Sequence, residues 1–558
     1  MRRLLIMLAV LVLVTAACTS HKSAPSSTPG QGGHAVCIGS GDTTCFGTLA
    51  AAVAAAHDGD TVTVRAGTVA GGVTIDKSIT LAGAGMRASI IRGGGPVLTI
   101  GTSSATKDLT VAIRDLTVTG GYSRTDRTGE CGPDIPACGP GYQKATALGG
   151  GIEVLPRPGG LPGAKVAISN TAVTGNRAAP TTRVPSVGAI CPDGPCPASQ
   201  AAGGGIDNWG ALTLTDSVVS DNQAAGELTA QADGGGIVDE ASARLFLIGS
   251  SVTGNTASAA PNGRFADGGG IFVDHDGTLT VQHSVIDGNT ASLTSRYPAS
   301  VGDSHASSGG VVVQSGGTAT IDHTSISANR VSVTDPDGAP TGYDPGICVC
   351  DASAALTLAD SKVNGNHLVV NVKTSVEGGS GGGLEADGNA VITRTEVKGD
   401  TVTVTSDAGV AAAVAVVNIF FDGTSGQAVM RDSTISGNRV TATSRSGMAI
   451  VRGAGLANTG PLLLSNVTIT GNSATATAPH GWVRGGGVFN SAVFTGPPFP
   501  APPSPSLVVH GGTISRNILQ AGHGAIASGG GIYSQGFRAQ ADTGVVTANT
   551  PDNCVGCS

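Results

Sequence analysis

Residues 268–289 read GGGIFVDHDGTLTVQHSVIDGN. A glycine triplet opens the stretch, Ile271 follows, short apolar–polar alternations come next, and Asn289 closes it. The same phrase stands at 203–222 (GGGIDNWGALTLTDSVVSDN) and again at 234–255. Anchored on its closing asparagine, it recurs at Asn176, Asn222, Asn255, Asn289, Asn329, Asn366, Asn438, Asn472, Asn517 and Asn549, with Asp400 in one slot. Three residues before every anchor stands a Val or Ile, from Val173 to Val546. Eight before stands another apolar residue, from Ile168 through Val281 to Ala541. Alternation of period two (LTLT, TLTV) around these columns marks short strands, not helices.

Short strands with fixed aliphatic columns, at a spacing of about 37 residues, are the mark of a β-solenoid, in which each coil buries its apolar face only against the next. Glycine supplies the backbone angles of sharp corners. Asparagine tolerates the left-handed conformation and can bond to the coil above and below. Both columns therefore read first as architecture: glycine corners and an asparagine ladder. A 37-residue repeat fits one long coil or nearly two short ones, and the sequence leaves that open.

Composition agrees. A chain of 558 residues exceeds one ordinary core, which stops growing near about 300 residues. A repeat protein escapes that limit because each coil touches only its neighbours. The 87 glycines follow no collagen period. Mean hydropathy is slightly positive, which excludes a disordered polar chain. A net charge of -8 with no basic stripe argues against a nucleic-acid partner.

The chain opens MRRLLIMLAVLVLVTAACTS. Two arginines precede an apolar run too short to span a bilayer, so 1–17 reads as an export signal. TAAC resembles the bacterial lipobox, with Thr15 in place of the usual Leu. The resemblance implies lipidation of Cys18, anchoring to the outer face of the cell membrane, or secretion if Cys18 stays unmodified. Residues 18–36, rich in Ser, Pro and Gly, read as a flexible tether. The other ten cysteines fall in close pairs: Cys37/Cys45, Cys131/Cys138, Cys191/Cys196, Cys348/Cys350 and Cys554/Cys557. Export makes local disulfides the first reading, although a Cys-Val-Cys bridge is strained. CVGC has zinc-like spacing but no second such pair nearby, so no metal site is assigned.

Residues 48–57 (TLAAAVAAAH) read as an amphipathic helix within an N-terminal cap, 37–60, lying over the first sheet edge. Residues 61–550 form the solenoid, and 551–558 a C-terminal tail. With these repeats and this cap, the chain resembles the right-handed parallel β-helix family, the pectate-lyase-like superfold. The expected class is thus all-β, a right-handed parallel β-helix with a short capping helix. The GGGI and Val/Ile-x-x-Asn phrases are also similar to the repeats of polymorphic outer-membrane adhesins, which carry an aromatic where this chain has Val or Ile. Such folds host many activities.

Enzymes that resemble this fold act on polysaccharides along one outer face. The residue two after each glycine corner points outward, and that column holds Glu153, Asp207 and Glu385. Glu240, Asp274 and Asp387 lie slightly further on. Coils stack about 4.8 Å apart, so Glu153 with Asp207, and Glu240 with Asp274, form candidate carboxylate pairs. Such pairs serve as glycosidase acid and base, or hold Ca²⁺ through oxygen ligands, or simply make a solvated acidic face. GHG at 522–524 matches a fragment of the polygalacturonase signature, but the paired aspartates and the Arg-Ile-Lys of that family are missing. A polar column six before the anchor (Asn170, Asp216, His283, His323, Asp360, Arg394, Asp432, Asn466) reads as turn residues, with a metal or proton relay as the sharper alternative. Long insertions at 121–148, 177–202, 291–307, 331–345 and 491–506 suit display and binding. Only Trp209 and Trp482 offer indole platforms for sugars. With no complete catalytic signature, the reading is a non-catalytic scaffold for a polysaccharide or a surface protein. The alternative is a polysaccharide lyase or glycoside hydrolase on the acidic face.

Overall fold

The protein is described from a computed structural model. It covers residues 35–557 except 40–43, 103, 105, 125–144, 182–189, 192–193, 196–198, 227–230, 261–262, 296–303, 315, 336–339, 352, 375, 421–426, 492–505 and 537. The export signal, Cys18, the tether to residue 34, Cys131, Cys138 and Cys196 lie outside the described residues, as does the side chain of Cys191.

Each repeat is one coil of five short strands. A representative coil runs Phe265–Asp267, Ile271–Val273, Thr278–Gln282, Val285–Asp287 and Thr290–Thr294. Corresponding strands pair in parallel, residue for residue, so Ile237 faces Ile271 and Ile271 faces Val311. The stacking yields five sheets, here I to V in coil order, of 11, 14, 16, 14 and 11 strands among the described residues. This is an all-β parallel β-helix.

The aliphatic columns point inward. Ile237, Leu245, Leu247, Val252 and their equivalents along the stack are fully buried in one continuous core. Each such side chain contributes about 1.5–3 kcal/mol of transfer free energy. Sheets I and V carry smaller inward residues, such as Ala147, Ala178, Ala201 and Ala224, which pack as a separate cluster. Strands of those two sheets stand at the described ends of the 121–148, 177–202, 291–307 and 331–345 segments, so the expected insertions are partly strands.

The anchor column is a continuous ladder. Asn222 Oδ1 accepts from the backbone N–H and side-chain amide of Asn176, at 3.0 and 2.9 Å. Asn222 Nδ2 donates to Asn255 Oδ1 at 3.0 Å and to Val173 O at 2.9 Å. The pattern continues to Asn549, which donates to Asn553. Burying so many amides is tolerable only because each is fully paired.

The triplet divides its labour. Gly203 has φ +58°, the left-handed region, whereas the next two glycines are there for lack of space. A Cβ on Gly204 would lie 2.3 Å from the backbone of Gln223, and one on Gly205 would lie 2.9 Å from Asn222 Nδ2. Corner and ladder thus touch across the interior, and only glycine fits between them.

The ends are closed. Helix α1, Leu49–Ala55, starts at Thr48, whose hydroxyl accepts from Ala51 N at 3.2 Å, and buries Leu49, Ala52 and Val53 in the core. Val36–Ile38 pairs antiparallel with both Cys45–Phe46 and Thr61–Val64, and Cys37–Cys45 staples this edge. At the other end Cys554–Val555 pairs with Ile532–Gln535. The solenoid therefore continues into the 551–558 segment expected as a tail, because Ile532 still needs a strand beside it. Cys554–Cys557 and Cys348–Cys350 are also bonded.

Candidate functional site

At the corner opened by the first glycine, which is left-handed like the turn column and the glycine before the anchor, the outer faces of sheets I and II meet in a re-entrant strip. A Cβ on Gly234 would lie 2.4 Å from Val238 Cγ2, and one on Gly529 would lie 2.6 Å from Tyr533 Cβ. The outward column of sheet II is consequently buried: Asp207 and Val312 are 0% exposed although they point away from the core. Leu148, Ala202, Val238, Phe272 and Val312 form a small cluster on this outer side.

The strip changes character along its length. Near the N-terminal end, Glu153 and Asp207 face each other in register, as the sequence predicts. Glu240 and Asp274 follow strands Ile237–Asp239 and Ile271–Val273 on adjacent coils. Asp233, from sheet I, joins them and accepts from Gln200 Nε2 at 2.6 Å and Gln231 Nε2 at 3.0 Å. Burial, then the negative charges of Asp207 and Asp274, hold the Glu240 carboxyl well above the ordinary range. Its carboxyl also meets that of Asp207. The site thus sets a carboxyl with a raised pKa among neighbouring carboxylates. Glu153, Asp207 and Asp233 are buried there, whereas Glu240 and Asp274 stay half-buried.

Mid-strip, Asp267 Oδ1 accepts from Ser307 N at 3.0 Å, and His305 packs between Phe265, tilted at 4.8 Å, and Tyr343, edge-on at 5.7 Å. Beyond lies a second acidic group. Asp344 occupies the corner position that is glycine in most coils, with φ +29° and no exposure. Its carboxyl and that of Glu385 have oxygens within 4.8 Å of each other, beside the Cys348 sulfur. Burial, then the charge of Glu385, pushes Asp344 up strongly. Oxygen donors of this kind suit Ca²⁺. The Cys348 sulfur is bonded to Cys350 and is no thiolate ligand.

At the C-terminal end three rings line up. Phe489 and Tyr533 stack at 5.7 Å with planes 3° apart, and Trp482 stacks on Phe489 at 6.0 Å. The Arg484 guanidinium lies 4.5 Å from the Trp482 ring centre and 4.8 Å from that of Tyr533. Sequence reasoning picks out Trp482 but misses its partners, which lie on the next sheet and the next coil. Trp209 follows strand Ile206–Asn208 and is half-buried.

The polar column six before the anchor is a row of turns. Asn170, Asp216, His283, His323, Asp360, Arg394, Asp432 and Asn466 all have φ between +43° and +55°. Glycine fills the same place at Gly249 and Gly511. His283 and His323 meet in a tilted contact at 5.0 Å, and Arg394 holds Asp360 through two bonds of 2.7 and 2.6 Å, which lowers the Asp360 pKa. Asp322, His323 and Asp360 have ligand atoms near one another, but Asp360 is committed to Arg394. The next residue forms an unexpected hydroxyl ladder: Ser217 N donates to Ser250 Oγ at 3.2 Å and Ser250 N to Ser284 Oγ at 3.1 Å.

No family model matches the chain, and no curated protein matches it. Among solved structures, the A-module of the mannuronan C-5 epimerase AlgE6 of Azotobacter vinelandii aligns over 81% of this chain and 94% of its own length. The identity is 16% and the TM-score 0.32, too low to carry any inference about this chain's chemistry.

Proposed function

We propose that this protein is an exported, lipid-anchored scaffold that binds polysaccharide without cleaving it. The observation that carries the reading is the Trp482–Phe489–Tyr533 stack in the re-entrant strip. Phe489 is buried beneath the other two, so the half-buried Trp482 and Tyr533 are the rings that suit the C–H faces of sugar rings, and the sheets hold them with little entropy left to lose. The repeated coil gives a linear polymer a parallel track. Anchoring rests on the lipobox-like TAAC at Cys18, and replacing Cys18 with alanine should release the protein into the medium.

A second reading has its own support. Glu240, whose pKa burial and the charge of Asp207 raise, has the makings of a general acid, and close carboxylates are what glycoside hydrolysis requires. One experiment separates the two. The purified protein is incubated with a polysaccharide panel, with Ca²⁺ or with chelator, and scored for retention, new reducing ends and unsaturated products. Retention without products, weakened about tenfold by Trp482→Ala, supports the scaffold. Products that vanish in Glu240→Gln or Asp207→Asn establish the enzyme. Neither retention nor products overturns both, and directs the search to a protein partner on the cell surface.

A further inference from the structure

The turn column between sheets III and IV is filled mostly by short polar chains. Asn170, Asp216, Asp360, Asp432 and Asn466 suit a left-handed turn, as Asn and Asp generally do. Histidine is tolerated there as well, but turn chemistry alone does not ask for two on successive coils. His283 and His323 stand there at φ +49° and +46°. The backbone beneath both is fixed: His283 N donates to Asp322 O and His323 N to Ala359 O, each at 3.2 Å. Both residues are exposed, on a different corner from the strip between sheets I and II.

The two ring centres are 5.0 Å apart, with the planes tilted by 41°. Two imidazole nitrogens on one tetrahedral Zn²⁺ lie about 3.3 Å apart, a separation these rings reach by rotation about their side-chain bonds. His323 Nδ1 stands 2.9 Å from Asp322 Oδ1. A carboxylate in that place holds the proton on Nδ1 and leaves the Nε2 lone pair for a metal. Asp360, one coil beyond, is tied to Arg394 and contributes charge, not a ligand. On the other side, the coil between Asp216 and His283 carries only Gly249, where a Cβ would lie 2.6 Å from Asp216 Oδ1. The Asp216 carboxylate thus reaches across a bare rung toward His283. Carboxylates therefore flank the ring pair on both sides, and their field draws cations.

We propose that His283 and His323 are the two protein ligands of a surface site for a transition-metal cation of the Zn²⁺ or Cu²⁺ class, with Asp322 the positioning residue behind His323. Water fills the remaining coordination places, which keeps the site open. Imidazole donors select this class over Mg²⁺ and Ca²⁺, which take oxygen ligands. The site is independent of the polysaccharide-binding reading and stands or falls separately from it.

The test titrates Zn²⁺ into the purified, metal-free protein and follows the heat of binding. The expected result is a site of one Zn²⁺ per chain that chelator empties and excess Ca²⁺ leaves filled. His283→Asn and His323→Asn keep the turn, since asparagine holds it at Asn170 and Asn466. Each should lose at least about tenfold in Zn²⁺ affinity, with the melting temperature in chelator unchanged. Asp322→Asn should lose about tenfold and Asp322→Glu less, again with no change of melting temperature in chelator. His510→Asn, which alters a histidine beside Asp542, should leave the affinity as it is. Wild-type protein that takes up no Zn²⁺ overturns the site. Binding that both Asn variants retain, or that only one of them loses, overturns it as well, because the site needs both rings. One Zn²⁺ shared between two chains does the same.

Discussion

The side-chain amide of Asn366 donates to Oδ1 of Asp400 at 2.9 Å, and at Asp400 the ladder loses its side-chain donor. Every other rung passes an N–H onward: Asn438 Nδ2 reaches Asn472 Oδ1 at 3.0 Å and Val397 O at 3.3 Å. Asp400 gives only its backbone N–H to Asn438, and its Oδ2 is buried with no hydrogen-bond partner. Burial pushes the Asp400 carboxyl well above its ordinary value, and bonds from Asn366 only partly oppose this. Asp400→Asn should therefore restore the rung. Stability should rise by about 1–3 kcal/mol at pH 8, where the wild-type carboxyl resists ionisation, and change little near pH 4.5. Calorimetry at the two pH values checks this, and an equal gain at both would show that ionisation is irrelevant.

The same sign applies more widely. Asp239, Glu240, Asp344 and Asp400 all have raised pKa values, each with burial as the first cause. A group raised in the folded state contributes fully below its unfolded value, and that contribution is lost as pH climbs through the folded one. The lowered carboxyls, such as Asp360 and Asp542, act in the opposite sense but lie at the surface, where screening makes them weak. The melting temperature should be higher at pH 5 than at pH 8. A curve that rises toward alkaline pH would contradict the assignment.

Asn289 makes the opposite case from Asp400. Its amide accepts two bonds from Asn255 and donates to Asn329 Oδ1 and Val252 O, all between 2.9 and 3.0 Å. Asn289→Ala strands buried partners on both sides and should cost about 4 kcal/mol or more. His323→Ala, on the exposed turn column, should cost under about 1 kcal/mol. Urea unfolding of the pair gives the comparison.

Asp344 sits in a left-handed corner that eight other coils give to glycine, among them Gly203, Gly268 and Gly485. Its carboxylate fills the space over Gly381, where a Cβ could not stand. Asp344→Gly removes both the backbone strain and a buried carboxyl, and should raise stability by about 1–2 kcal/mol at neutral pH. A drop in melting temperature instead would mean that Asp344 holds something the protein needs, and added Ca²⁺ would then be the first ligand to try.

The columns of Ile152 to Ile532 and Val173 to Val546, and the asparagines beside them, were legible because stacking demands the same residue type at the same phase in every coil. The strip was not. Asp207 looks like an exposed acid in sequence, since alternation places it outward, and it is the close corner at Gly203 that buries it. Sheet I was hidden because its inward residues, such as Ala201, Ala232 and Ala266, are small and variable segments precede them, whereas alternating runs after the anchor, such as RVSVT from Arg330 and TVTVT from Thr401, mark sheet V. The rings at 482, 489 and 533 come from two sheets and two coils, a distance that no local pattern spans. The hydroxyl ladder through Ser217 and Ser250 was readable as a column, yet serine after a turn residue passes as ordinary turn chemistry.

Asn255 and Asn289 stand 34 residues apart and occupy identical places in successive coils. Excising residues 256–289 would bring Thr290 to the phase that Thr256 holds, and Asn255 would meet Asn329. The joint is seamless, because each coil is addressed only by its neighbours. The number of coils is thus an inheritable quantity in its own right. Duplication or loss of one cassette lengthens or shortens the protein without editing the helical cap at one end or the ring stack near the other.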